Sequence, residues 1–447
     1  MVNSLESKIQ NIFLIPYLTL LSIALFLQQF LPDYFRYSKL EAISFRSEDG
    51  WCTPKTQGVG IHCFGDFYYP FTFMNLENPW KGTINPWPPF SFYVYKPLET
   101  LSNGLNPRFG IILFLLVSLI ALLFPLFHLK FISKEITEFG FYVVLLITLT
   151  FAPVIVSLDR GNNIIFCIPI LYLFLRSQSN EKNKASLLYL SILILFKPQF
   201  IILSLLFYYS NGLKYFLFRS LFLTLVFISS FILYPFSFPK NILDWFGQTL
   251  TFQDYGGKGM LVPPNLSLMS DINVFTNIFD LNVSESVSKG IVWLFAIVAL
   301  LFCIRKSKIR TTWHNFLALI FFPILFTGTA FHYYLSIFYV VILIYVAVIF
   351  STPGSLFLGR VKNWETWDPT LTGYFQSKFL ILLSAFAFIP WGIPWSITLA
   401  QFRDRGWDAI GINWLPAQYF VMFLGFSVMF IGSMRSTDVI GLEKGKQ

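Results

Sequence analysis

The chain has 447 residues, of which 55% are hydrophobic and only 12% charged, with 32 Lys/Arg against 23 Asp/Glu and a formal net charge of +9. A soluble globular protein carries about 25% charge, so that class is excluded. With 4 cysteines in so long a chain, a disulfide scaffold is excluded too. The positive balance does not imply nucleic acid, because membrane proteins use cytoplasmic Lys and Arg to orient their helices.

In chain order, the first apolar run is Ile12 to Leu31, about the 20 residues a spanning helix needs. Pro32-Asp33 follows it instead of a small-residue cleavage site, so it reads as a retained first span. A long polar segment, 32–107, comes next and holds Cys52, Cys63 and the Pro-rich Asn85-Pro86-Trp87-Pro88-Pro89. Further spans are predicted at 108–130, 140–158, 164–175, 186–196, 199–213, 216–236, 290–305, 314–330, 334–351, 378–397 and 416–433. Two of these boundaries rest on specific residues. The run 186–208 is divided at Lys197-Pro198, since proline removes a backbone donor and disfavours helix in the residue before it. The run 314–351 is divided at Phe331-His332-Tyr333.

The expected fold is therefore an all-α polytopic membrane protein with about twelve transmembrane helices, forming one domain over 1–447. Its two long extracytoplasmic loops are 32–107 and 237–289. With the N-terminus inside, eighteen Lys/Arg face the cytoplasm, while the short outer segments hold only Arg160, Lys197, Arg403 and Arg405. That asymmetry supports the orientation. The chain is expected in the cell membrane, multi-pass, among membrane lipids. No internal repeat or low-complexity tract is evident.

In this layout three spans run inward from polar clusters: Asp159-Arg160-Gly161-Asn162-Asn163, Lys197-Pro198-Gln199 and His332-Tyr333. A helix N-terminus carries unpaired N–H groups and about half a positive charge. Pro198 suits a first turn, and Asn162 or Asn163 suits a cap. With Arg160, Lys197 and His332 beside them, these helix starts form a candidate anion site on the outer face, fit for a phosphate. The plainer alternatives are an Arg160–Asp159 surface pair, a Lys197 that snorkels to water, and a structural His332. An ionisable group inside a span costs roughly 2.5–3.5 kcal/mol, which singles out Lys197.

The first outer loop supplies an acid, Asp66, in Gly65-Asp66-Phe67-Tyr68-Tyr69. Partial screening from water would raise its pKa toward that of a useful base; the alternative is a solvated loop carboxylate. Asp33, Glu41, Glu48, Asp49, Glu77, Asp159, Asp244, Asp254 and Asp271 compete for the role. There is no phosphate-binding glycine loop, dinucleotide fingerprint or Cys-x-x-Cys, and the four histidines (62, 128, 314, 332) lack ligand spacing. No metal site is expected. Cys52 and Cys63 share the outer loop, where oxidation is permitted, and are expected to form a disulfide.

These motifs resemble the GT-C membrane glycosyltransferases that use polyprenyl-phosphate sugars, and most of all glycosyltransferase family 87 with its α-1,2-mannosyltransferases. The likeness covers roughly 12–350. It rests on Asp66-Phe67-Tyr68-Tyr69, Trp87-Pro88-Pro89, Arg160-Gly161-Asn162-Asn163 (Asn where Gln is usual) and Phe196-Lys197-Pro198. It extends to Asn265-Leu266-Ser267-Leu268 (Leu in place of Gln) and Phe331-His332-Tyr333. The resemblance implies a GT-C-type fold and a hexosyltransferase that moves a sugar, with mannose the first expectation. The donor would be a polyprenyl phosphate and the acceptor a glycolipid or glycan, with inversion, outside the cytoplasm. Asp66 would be the base. Arg160, Lys197 and His332 would hold the donor phosphate. Tyr68, Tyr69, Trp87, Asn162, Asn163, Asn265 and Ser267 would contact sugar or acceptor. A lipid-phosphate leaving group needs less charge neutralisation than a nucleotide diphosphate, so no metal or other cofactor is expected. The competing classes are a lipid-linked sugar flippase, which should show inverted repeats, and an oligosaccharide ligase or polymerase, which should aim several outer-loop arginines at a diphosphate.

Overall fold

A computed structural model of the chain describes residues 65–81, 86–104, 107–180, 182–232, 240–258, 267–269, 272, 276, 281–304, 312–326 and 332–358. The spans expected at 12–31, 378–397 and 416–433, the Cys52–Cys63 disulfide and Asn265 all fall outside these residues.

Among the described residues the protein is helical almost throughout, without a β-sheet. Helices α1 (Gly65–Phe73) and α2 (Pro89–Gly104) lie in the first long polar segment. Then come α3 (Pro107–Phe127, extended by a π-turn, His128–Ile132), α4 (Glu138–Thr150), α5 (Ala152–Arg160), α6 (Ile164–Ser179) and α7 (Asn183–Phe196). A 3₁₀ segment (Pro198–Ser204) leads into α8 (Leu205–Asn211) and α9 (Leu213–Ile232). Helix α10 (Lys240–Lys258) lies in the second polar segment. The remainder are α11 (Glu285–Ile304), α12 (Thr312–Leu325), a 3₁₀ segment (His332–Ile337) and α13 (Phe338–Ile349).

Among the described residues two helical stretches, Phe109–Ile132 and Leu213–Ile232, are long and apolar enough to cross a membrane. Both leave large apolar side chains exposed, such as Ile120 and Phe218. The other apolar helical stretches among the described residues, such as Ser286–Leu301, are 10–17 residues long.

The predicted division at Lys197-Pro198 is a real helix break. Lys197 is extended (φ −143°, ψ 95°), and its N–H closes the last turn of α7 on Leu193 O at 2.9 Å. The predicted span 140–158 is instead two helices, parted at Phe151 (ψ 105°). Pro153 follows at the start of α5, where its missing N–H costs no intrahelical bond. The polar segments also differ from expectation. Helices α1, α2 and α10 are rich in aromatics and carry an aromatic core of Phe67, Trp80, Trp87, Phe92, Tyr95, Phe114, Phe231 and Trp245. The larger core, built on α3 to α8, α12 and α13, joins it through Phe166 and Phe227.

The helices place polar residues at two separate ends. At one, Asp66, Arg160, Lys197 and Tyr334 gather. At the other, the segment before α4 meets the segment after α13. Thr137 N–H donates to Phe350 O and Thr352 N–H to Glu135 O, both at 2.9 Å, around an isolated bridge between Ile136 and Ser351. Gly140 has no room for a side chain there, because an added Cβ would collide with the Phe350 side chain.

Candidate active site

Asp66 sits in the first turn of α1, where a carboxylate complements the helix dipole. Its neighbour Phe67 anchors the helix, edge-on to Phe71, Tyr95 and Phe114 at 4.9–5.9 Å. Arg160 and Asn162 reach the same carboxylate because the chain reverses between α5 and α6. The reversal is made by Gly161 in the left-handed region (φ 67°, ψ 34°), which costs glycine little. Its carbonyl is held by the buried Tyr95 hydroxyl at 2.8 Å.

Arg160 grips Asp66 with both arms, Nε to Oδ2 at 2.8 Å and Nη2 to Oδ1 at 2.7 Å. Asn162 Nδ2 adds a third donor to Oδ2 at 2.7 Å, and Asn162 Oδ1 takes the Ile164 N–H at 2.9 Å, opening α6. Asp66 is 9% exposed, so it is no solvated loop acid. Burial pushes its pKa up, but the Arg160 charge and hydrogen bonds, the Asn162 amide and the Lys197 charge together pull it below the ordinary value. The expected upward shift is thus reversed: Asp66 is held ionised. Arg160, expected on a phosphate, has its guanidinium engaged with the Asp66 carboxylate.

Lys197 is 8% exposed, too buried to snorkel. Its Nζ lies 5.0 Å from the Trp87 ring and 5.4 Å from the Tyr334 ring. Among the described residues its ammonium has no hydrogen bond or ion pair. Rings satisfy an ammonium only in part, roughly 0.5–2 kcal/mol each. Counting formal charges, Asp66, Arg160 and Lys197 leave one positive charge over, in a place shielded from water.

The surrounding wall is built from Trp87, whose carbonyl accepts from Trp80 Nε1 at 3.0 Å, and from Asn163, whose Nδ2 donates to Ser91 Oγ at 2.9 Å. Asn163 Oδ1 is buried without a partner among the described residues. His332 opens its 3₁₀ segment as expected of a helix start, but its side chain, like those of Tyr68 and Tyr69, is outside the description. Ser267 is buried beside a separate small cluster of Leu268, Met269 and Val292.

The structure therefore brings together Asp66, Arg160, Asn162, Asn163, Lys197 and Trp87. Sequence reasoning missed Tyr95, Ser91 and Tyr334. Tyr334 was within reach, lying two residues after His332; Tyr95 and Ser91 sit on a helix read as loop. No group of three or more metal-ligating side chains occurs among the described residues. No family model, curated protein or solved structure matches this chain.

Proposed function

We propose that this chain is a membrane glycosyltransferase of the GT-C type, akin to family 87, acting at the extracytoplasmic face. With it we propose about twelve spans with the N-terminus inside. The separation of Asp66, Arg160 and Lys197 at one end from the Ile136–Ser351 bridge and the Thr352–Glu135 bond at the other supports that sidedness. The donor is a polyprenyl-phosphate sugar, mannose first among candidates, and the acceptor a glycolipid or glycan.

The observation that carries this reading is Lys197, a buried ammonium with no hydrogen bond or ion pair among the described residues, near a carboxylate already gripped by Arg160. A buried charge stays costly until it is paired, and a phosphate monoanion or dianion supplies the missing partner. The acceptor hydroxyl gives its proton to Asp66 as its oxygen bonds to the anomeric carbon from the face opposite the phosphate. The bond from that carbon to the phosphate oxygen breaks, and its electron pair leaves with the polyprenyl phosphate. Lys197 meets the charge that develops there. Arg160 and Asn162 hold the carboxylate ionised and aimed, so Arg160 acts on the base first. Trp87 and Tyr334 line the cage and offer faces to sugar or lipid. A metal is not required by this charge balance.

The test is transfer of radiolabelled mannose from polyprenyl phosphate to a membrane lipid extract, in nanodiscs, with chelator present. Wild type should label a new product, while Asp66→Asn should bind donor without transferring. Absence of label from every polyprenyl-phosphate sugar offered would overturn the reading.

A further inference from the structure

Helix α10 has two unlike faces. Asn241, Asp244 and Trp245 point into the protein. Asp244 Oδ2 accepts from Asn78 Nδ2 at 2.7 Å, and Trp245 Nε1 donates to Pro86 O at 3.2 Å. On the opposite side, Leu243, Phe246 and Leu250 fall within about 60° of one another at roughly 100° per residue. They are 70%, 55% and 47% exposed. Water is a poor neighbour for three such side chains on one helix face.

The depth of α10 is fixed by what Trp245 touches. Its ring packs on Phe227 and Phe231, with centroids at 5.2 and 5.6 Å. Those two residues form the last turns of α9, which spans Leu213–Ile232 and is long and apolar enough to cross a membrane. The outward face of α9 is itself apolar and exposed, through Leu225 and Ile232 among others. The stripe on α10 therefore continues a lipid-facing surface at the level where the span ends.

We infer that α10 is a surface helix of the outer leaflet, with Leu243, Phe246 and Leu250 sunk among lipid headgroups and upper acyl chains. The inference rests on the membrane reading and not on the transfer reaction. The same helix holds Pro86, next to Trp87 of the lysine cage. A helix that lies on the bilayer and also steadies the cage wall would align a lipid-borne phosphate with Lys197.

The test places a fluorescent amino acid, by codon reassignment, at 243, 246, 250, 248 or 77 of the full chain in phosphatidylcholine nanodiscs. Residues 243, 246 and 250 should be quenched by a shallow nitroxide lipid at least about threefold more than by aqueous iodide. Positions 248 and 77 should show no such preference. Iodide quenching at 246 equal to that at 77 would overturn the inference. Because the probes replace exposed or half-exposed side chains, folding is not at stake. Quenching by lipid in a protein that transfers no sugar would keep the surface helix and remove only the transferase reading.

Discussion

Among the described residues stand two buried carboxylate–arginine pairs, one at each polar end, and they do different things. At one end Glu135 meets Arg176 at 2.9 Å. The second carboxylate oxygen accepts the Leu358 N–H at 2.9 Å, and the guanidinium lies 5.2 Å over Phe357. Arg176 also reaches the Tyr172 hydroxyl, which meets His128 Nδ1 at 3.0 Å. The charges cancel, and the bonds tie α3, α6 and the segment after α13 together. At the other end Asp66 meets Arg160 just as closely, but Lys197 stands near them with no ion pair of its own among the described residues. A closed pair is a fastening. A pair with a surplus charge next to it is, on the proposed reading, open to an anion.

The largest test of that contrast is Asp66→Asn. On the proposed reading, losing the base should cut kcat by about 10²–10⁴-fold while donor binding, measured by lipid pull-down, persists. Retained turnover would reduce the Asp66–Arg160 pair to a fastening like Glu135–Arg176. Next is Lys197→Met. Removing a hydrogen bond to a charged group costs about 1.5–3 kcal/mol, so kcat/KM for the donor should fall by roughly 10–150-fold. Thermal stability should hold or rise, because an unpaired buried charge is gone. Glu135→Gln should show the opposite pattern. Breaking a buried pair costs up to about 3–5 kcal/mol of stability, seen as a lower Tm, with kcat per folded molecule unchanged.

A pH profile sharpens the comparison further. A carboxyl whose folded pKa lies below its ordinary value contributes stability above that ordinary value and loses it as pH falls through the folded one. Asp66 is such a group. The wild-type kcat/KM should therefore show no acid limb from Asp66 between about pH 5 and 8, well above the ordinary carboxylate range. In Arg160→Ala, burial dominates and the acid limb should move upward. An unmoved limb would mean that Arg160 does not set the state of Asp66. The smallest expected effect is Tyr95→Phe, which frees the Gly161 carbonyl. The loss is about 1 kcal/mol, or severalfold in kcat, with the donor KM unchanged.

Much of this was written locally. Pro198 after Lys197 breaks the helix because the defect is in the peptide itself. Asn162 opens α6 with a bond to Ile164, two residues away. The apolar runs at 109–132 and 213–232 carry their membrane reading in composition alone. Helices α1, α2 and α10 were not legible. They hold Pro70 and Pro97 or alternate apolar with polar residues, and they share the aromatic core.

What the sequence determined by itself is a helical, strongly apolar chain, the break at Lys197-Pro198, and the residues worth suspecting: Asp66, Arg160, Lys197. What only the tertiary structure decided is who faces whom. Asp66 and Arg160 are 94 residues apart, and nothing in either neighbourhood specifies the other. On paper the guanidinium could meet water, Asp159 or a phosphate equally well, until Gly161 turns the chain and Tyr95 fixes the turn. The pKa of Asp66 followed the same rule: burial alone raises it, and only the assembled set of donors and positive charges decided that it falls.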